Sequence, residues 1–246
     1  MTLGARTTTS APIALVGSGE YLPVMREVEA ALIAGRSPRY VQLATAAAPE
    51  GQKSLDRWHR LGKAQADRLG VEQVVVDVRT RADADDAALA TAVAGAGLIY
   101  LSGGNPAHLA DTLRDTAVWQ AIVAAHRAGA ALAGCSAGAM ALADWTPWHG
   151  GRVGGAQASS ARPTGLGLVP NVRVIPHFDV MGLRSPSMLT SALAALPDDV
   201  TLLGIDEETA LVGGPHDWQV VGRQSVWIID RSDRREHRAG SSITTP

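Results

Sequence analysis

The 246-residue sequence has one cysteine, Cys135, and only two lysines, Lys53 and Lys63. A lone cysteine excludes an intramolecular disulfide framework, and a chain this long buries enough core to fold without one. It neither supports nor excludes export. The scarcity of lysine beside arginine, with abundant alanine, reads as a GC-rich coding bias and carries no mechanism. No stretch approaches the roughly 20 apolar residues of a membrane span, and the opening MTLGARTTTSAPIALVGSGE lacks the long apolar core of a secretory leader. The expected compartment is therefore the cytoplasm, with no membrane partner. There is no excess of charge either: the formal net charge is -2 and the pI near 6.4. The basic residues are scattered, so no nucleic-acid footprint is expected. The histidines lack zinc spacing with acids or thiols, and no metal or organic cofactor is expected.

What is present is ordinary globular composition, 46% hydrophobic and 19% charged, read as one domain over residues 1–246 with flexible tails at 1–10 and 233–246. Short apolar runs at Pro12–Gly17, Tyr40–Thr45, Gln73–Val78, Leu98–Ser102 and Ala130–Cys135 have the length and flanking residues of buried strands. Between them Leu22–Ala34, Ser54–Leu69, Asp85–Ala94 and Val118–Arg127 have helical spacing. This βαβα alternation predicts an α/β fold: a doubly wound, mostly parallel sheet with helices on both faces, and a site at the carboxyl ends of its strands. Residues 144–170 are too rich in Gly, Pro, Ser and Trp for a regular element and read as a long loop near that site. After it, a strand at Val172–Pro176, a helix at Ser187–Ala195 and strands at Thr201–Ile205, Thr209–Val212, Gln219–Val221 and Val226–Ile229 are expected. The final RSDRREHRAGSSITTP reads as a solvated, frayed end.

The segment that carries chemistry is AALAGCSAGAMALA, residues 130–143. It gives a strand, then Gly134-Cys135-Ser136-Ala137-Gly138, then a helix-forming run, which is the strand, turn and helix context of a G-x-S-x-G nucleophile elbow. A hydroxyl on such a turn is held in strained backbone, and small neighbours admit the close approach. Cys135 comes one residue too early, with its side chain expected in the core. The amide of Ala137 could stabilise an oxyanion, and Gly104 in Ser102-Gly103-Gly104-Asn105 could supply a second donor. Pro106 suits the first turn of a helix capped by Asn105.

A serine needs a base, and the base an orienting carboxylate. His59, His108, His126, His149, His216 and His237 fall in expected helices, the loop or the tail, whereas His177 directly follows a strand in VIPHFDV. Asp206, Glu207 and Glu208 end another apolar run; Asp144 and Asp179 compete with them for the acid.

Taken in order, SGGN, GCSAGAM, PHF and GIDEETALV resemble the dipeptidase E and cyanophycinase family of serine peptidases across most of the chain. That resemblance implies a flavodoxin-like, class I glutamine amidotransferase-like three-layer sandwich. It implies Ser136 as nucleophile, His177 as base, Glu207 as acid, and Gly104 and Ala137 as oxyanion donors. A small peptide or amide substrate follows, with Asn105 and Arg184 as candidate substrate contacts and homodimers common among members. Cys135 stands where members carry Thr or Ser. Where cyanophycinases carry several arginines after PHF, this chain keeps Arg184; Arg162 and Arg173 are the other cations that could receive an aspartyl carboxylate. Two rival readings share the scaffold: an amidotransferase-like amide hydrolase that is not a peptidase, and a non-catalytic ligand-binding protein.

Overall fold

Apolar runs too short to be helices become strands whose two faces are both covered, and this organises the chain. A computed structural model describes residues 11–144, 165–182 and 186–246. In chain order the first strands and helices are β1 Ile13–Val16, α1 Arg26–Ile33, β2 Arg39–Leu43, α2 Gln52–Leu69, β3 Glu72–Val75, α3 Arg81–Ala84 and α4 Ala87–Ala92. There follow β4 Leu98–Leu101, α5 Pro106–Leu113, α6 Ala117–Arg127, β5 Ala131–Cys135, α7 Ala137–Leu142, β6 Val172–Ile175, α8 Pro186–Ala194 and β7 Thr201–Ile205. The chain closes through β8 Thr209–Gly213, β9 Asp217–Gly222, β10 Ser225–Ile229, β11 Arg234–Arg238 and β12 Ser242–Thr244.

Among the described residues these strands form two sheets. The larger has the order β12-β9-β8-β1-β5-β4-β2-β3. Its half from β1 to β3 is parallel, while β8, β9 and β12 extend it with antiparallel pairs. Alternate residues of each central strand feed opposite faces. Ile13, Leu15, Ile99, Leu101 and Leu132 pack with residues of α5, α6 and α7. Ala14, Val16, Leu98, Tyr100, Ala133 and Cys135 pack beneath α1 and α2. No helix among the described residues is long and apolar enough to cross a membrane.

The second sheet was not anticipated. Four strands in the order β11-β10-β7-β6 stand apart from the main sheet, so β6, expected as one more strand of a single sheet, instead pairs in parallel with β7. Val174, Leu203, Ile205 and Val226 of this sheet pack into the same core cluster as β1, β4 and β5, and α8 covers its other side through Leu189 and Ala192. The frayed end is a second correction. Residues 234–238 pair with β10 and 242–244 with β9. Their charged side chains sit on the solvent side of edge strands, where polarity does not oppose backbone pairing. Ile243 and Thr245 are buried, and Trp218 Nε1 donates to Thr245 Oγ1 at 3.0 Å. The other expected tail, 1–10, lies outside the described residues.

Under the main sheet, Glu29 on α1 is 1% exposed. Its Oε2 accepts from Tyr40 Oη at 3.0 Å, while Oε1 has no partner among the described residues. Burial is the main cause that lifts its pKa to about 7. Well below the ordinary glutamate range both folded and unfolded chains hold the proton; as pH rises toward 7 only the fold retains it, so stability falls across that window and levels off above it. The contribution is at most about 3 kcal/mol. Denaturant unfolding at pH 5 and pH 8 should show a decline for the native chain that is smaller in Glu29→Gln; equal declines would remove Glu29 as the source.

Candidate active site

The turn between β5 and α7 is made possible by missing side chains. A Cβ on Gly134 would collide with the backbone of Gly138 and Ala139, and one on Gly138 with the carbonyl oxygen of Leu101 in β4. With both absent, strand, helix and neighbouring strand converge. Ser136 adopts φ 50° and ψ -108°, a left-handed backbone that costs a non-glycine residue about 1–3 kcal/mol. Its amide is fixed on Val16 O at 2.9 Å, and its side chain is partly open between buried Cys135 and Ala137.

His177 arrives from the second sheet, separated from β6 by Pro176 alone, with φ 48°. Its Nε2 lies 3.1 Å from Ser136 Oγ and its Nδ1 2.7 Å from Glu207 Oε1. The side chains of His177 and Glu207 are 30% and 40% exposed, so the relay is reachable from solvent. Phe178 lies against Gly204, where a Cβ would strike its ring; this contact sets β6 and β7 so that residues 177 and 207 meet. Glu207 is held from behind: its amide donates to Asp179 Oδ1 at 3.0 Å, and Gln224 Nε2 donates to both Asp179 Oδ2 and the Glu207 carbonyl.

Gly104 lies in the turn after β4 with φ 139°, and a Cβ there would collide with the Ala46 backbone. Neither its amide nor that of Ala137 has an acceptor among the described residues. Hydroxyl, imidazole, carboxylate and two unengaged main-chain donors are the components of acyl transfer to a serine.

Residues 17–220 match the family model described as Peptidase family S51. The chain belongs to peptidase family S51. Among its relatives are the cyanophycinase of Trichormus variabilis, 32% identical over 209 residues, and that of Synechococcus elongatus, 31% over 189. These matches cover 81% and 75% of this chain. The chain spans 66% and 58% of the length of those two proteins. A crystal structure of a peptidase from an acI-B1 Actinobacterium is similar, with TM-score 0.83, 42% identity, and 95% and 96% of the two chains covered. A putative peptidase E from Listeria monocytogenes EGD-e has TM-score 0.57 and 17% identity, covering 93% and 98%, and speaks for the fold alone.

The other candidates in this S51 chain are drawn elsewhere. Asp206 is buried and accepts from Ser225 N and Trp227 Nε1; burial raises its pKa. Asp144 follows α7, its amide donating to Val172 O, and its Oδ1 has no partner among the described residues. Glu208 pairs with Arg223 at 2.7 Å. Asn105 caps α5 as expected, its Oδ1 accepting from His108 N at 3.0 Å. Arg173 Nη1 donates to Ala195 O just past the end of α8, while its Nε has no partner among the described residues. Arg184, Arg162 and His149 lie outside the described residues.

Glu20 and Gln224 escaped the sequence reading. Cys135 is buried as expected, but its thiol also donates to Glu20 Oε2 at 2.8 Å. Burial first, and then the Glu20 charge, push its pKa well up, so the thiol stays protonated. Glu20 itself had one available signal, an acid in the glycine-containing turn directly after β1. The packing at the elbow is testable: Gly138→Ala should lower stability by about 1–3 kcal/mol, read as a fall in Tm, because its neighbour is backbone and cannot rotate away. An unchanged Tm would mean that the turn has room.

Proposed function

We propose that this S51-family chain is a serine-type peptidase or amide hydrolase acting on a small peptide or isopeptide, with Ser136, His177 and Glu207 as its catalytic triad. The observation that carries the reading is the continuous relay from Ser136 Oγ through His177 to Glu207, at 3.1 and 2.7 Å, on strained backbone at its first two members. In the reaction His177 Nε2 takes the hydroxyl proton as Ser136 Oγ bonds to the substrate carbonyl carbon. Glu207 keeps the imidazole in the tautomer and orientation this requires and stabilises the imidazolium. The Gly104 and Ala137 amides receive the negative charge developing on the carbonyl oxygen. His177 then protonates the leaving nitrogen as the C–N bond breaks, leaving an acyl-serine. A water molecule, deprotonated by His177, attacks that ester; the acid product leaves and the proton returns to Ser136.

Asn105 Oδ1 is spent as a helix cap, so a substrate contact there would use its amide nitrogen. Arg173 spends Nη1 on Ala195 O, which leaves its other guanidinium donors for any substrate contact. Small peptides and isopeptides are the class the family and its relatives favour.

A fluorophosphonate probe should label the native chain and leave Ser136→Ala unlabelled. No labelling of the folded native chain would favour the non-catalytic reading. Glu207→Gln should keep the fold and lose kcat by about 10³–10⁴-fold, measured on whichever dipeptide or isopeptide of a substrate panel is hydrolysed. A loss of less than tenfold would transfer the acid's role to another residue.

A further inference from the structure

The turn after β1, Gly17-Ser18-Gly19-Glu20-Tyr21, holds a carboxylate for which the proposed chemistry has no use. Glu20 is 8% exposed, and a carboxylate so placed demands donors. It has two. Oε1 accepts from the Gly103 amide at 3.0 Å, and Oε2 accepts from the Cys135 thiol at 2.8 Å. One donor belongs to the turn that carries Gly104, the other to the residue just before Ser136. A Cβ on Gly103 would lie 2.8 Å from Glu20 Oε1 and 3.4 Å from Ser136 Cβ, so the carboxylate and the serine both flank the glycine turn.

Consecutive amides in this turn are treated differently. Ser102 N donates to Leu43 O at 3.0 Å, Gly103 N to Glu20 and Asn105 N to Ala46 O at 2.8 Å. Gly104 N, between two anchored neighbours, has no acceptor among the described residues and lies at the surface. Tyr21 reinforces the arrangement: its hydroxyl hydrogen-bonds Ser102 Oγ at 2.6 Å and accepts from Gln42 Nε2 at 2.9 Å. A Gly-Gly pair has more backbone freedom than any other, so an amide aimed from it stays aimed only if the peptides beside it are tied.

We infer that Glu20 is a positioning residue: by holding the Gly103 amide and the Cys135 thiol on one carboxylate, it sets the Gly104 amide against Ser136 Oγ as the second oxyanion donor. This rests on the serine hydrolase reading above. Because the role concerns charge that appears only in the transition state, its loss falls on kcat and spares KM.

Two variants test it. Glu20→Ala removes the acceptor, whereas Glu20→Gln keeps an oxygen that can accept from Gly103. Rates are measured per labelled Ser136, so that a smaller folded fraction does not count as slower chemistry. Glu20→Ala should lower kcat by roughly ten- to a hundredfold with KM within about twofold, and Glu20→Gln should recover most of the loss. Amide hydrogen exchange followed by NMR should show Gly103 protected in the native chain and exposed in Glu20→Ala. If Glu20→Ala does not fold, Glu20→Gln decides alone: a neutral acceptor is the weaker one, and Gly103 should exchange about tenfold faster at matched global stability. The inference is overturned by a per-site rate within threefold of native in Glu20→Ala, by a loss confined to KM, or by Gly103 exchange that does not respond to either variant. If the native chain is inert to probe and substrates, the hydrolase reading fails, and Gly103 exchange still decides whether Glu20 holds the turn.

Discussion

The site depends on a contact that only hydrogen can make. Gly134 faces the backbone of Gly138, and Gly138 faces the carbonyl of Leu101. An added carbon at either place would force β5, α7 and β4 apart. Their closeness keeps Ser136 at φ 50°, because a turn that could relax would abandon so strained a conformation. The strain is therefore supported by packing elsewhere, and the elbow is a property of three elements and not of five residues. Tyr21, His177 and Glu208 also have positive φ, so several strained non-glycine residues share the site's neighbourhood, while Asp115 and Asn171 adopt such backbone in turns elsewhere.

A second set of close approaches joins the two sheets. A Cβ on Gly17 would collide with the carbonyls of Ile205 and Asp206, so the end of β1 meets the end of β7 without an intervening side chain. Gly204 does the same for Phe178. These contacts decide which acid reaches the imidazole. Asp206 continues the buried alternation of β7 and turns to Ser225 and Trp227, whereas Glu207, one residue on, points to the opposite side and finds His177. Glu208 is turned away again and pairs with Arg223.

Much of the central sheet could be read from the sequence because its strands are apolar on both faces and its helices amphipathic, and local pattern reports both. Ser136 was legible for the same reason: strand, small residues and helix are contiguous. His177 and Glu207 lie 30 positions apart, and position beyond a strand kept five acids in contention until the family resemblance narrowed them. The second sheet was hidden because β6, β7 and β10 have the same apolar character whether they extend the main sheet or leave it. Residues 234–238 misled for the opposite reason. Edge strands need backbone partners more than apolar side chains, so RREHR reads as solvated and is nevertheless paired. Glu20 could not be reached by periodicity at all, since its two partners are 83 and 115 residues away.

Adjacent positions 135 and 136 put a thiol and a hydroxyl in opposite surroundings. Strand alternation sends Cys135 beneath the sheet among Val16, Tyr100 and Ala133, where apolar surroundings disfavour a thiolate. Glu20 adds negative charge on the same side and takes the thiol proton in a hydrogen bond. Both effects raise the pKa, and the sulfur becomes a donor that helps neutralise a buried carboxylate. Ser136 is one residue further on, past the point where the backbone reverses, and its oxygen meets the imidazole instead. A serine oxygen needs no low pKa when a base lies within hydrogen-bond reach, whereas the charge facing the cysteine, that of Glu20, opposes a thiolate. On the proposed reading, the choice between the two nucleophiles is thus made by the direction in which each side chain leaves the turn.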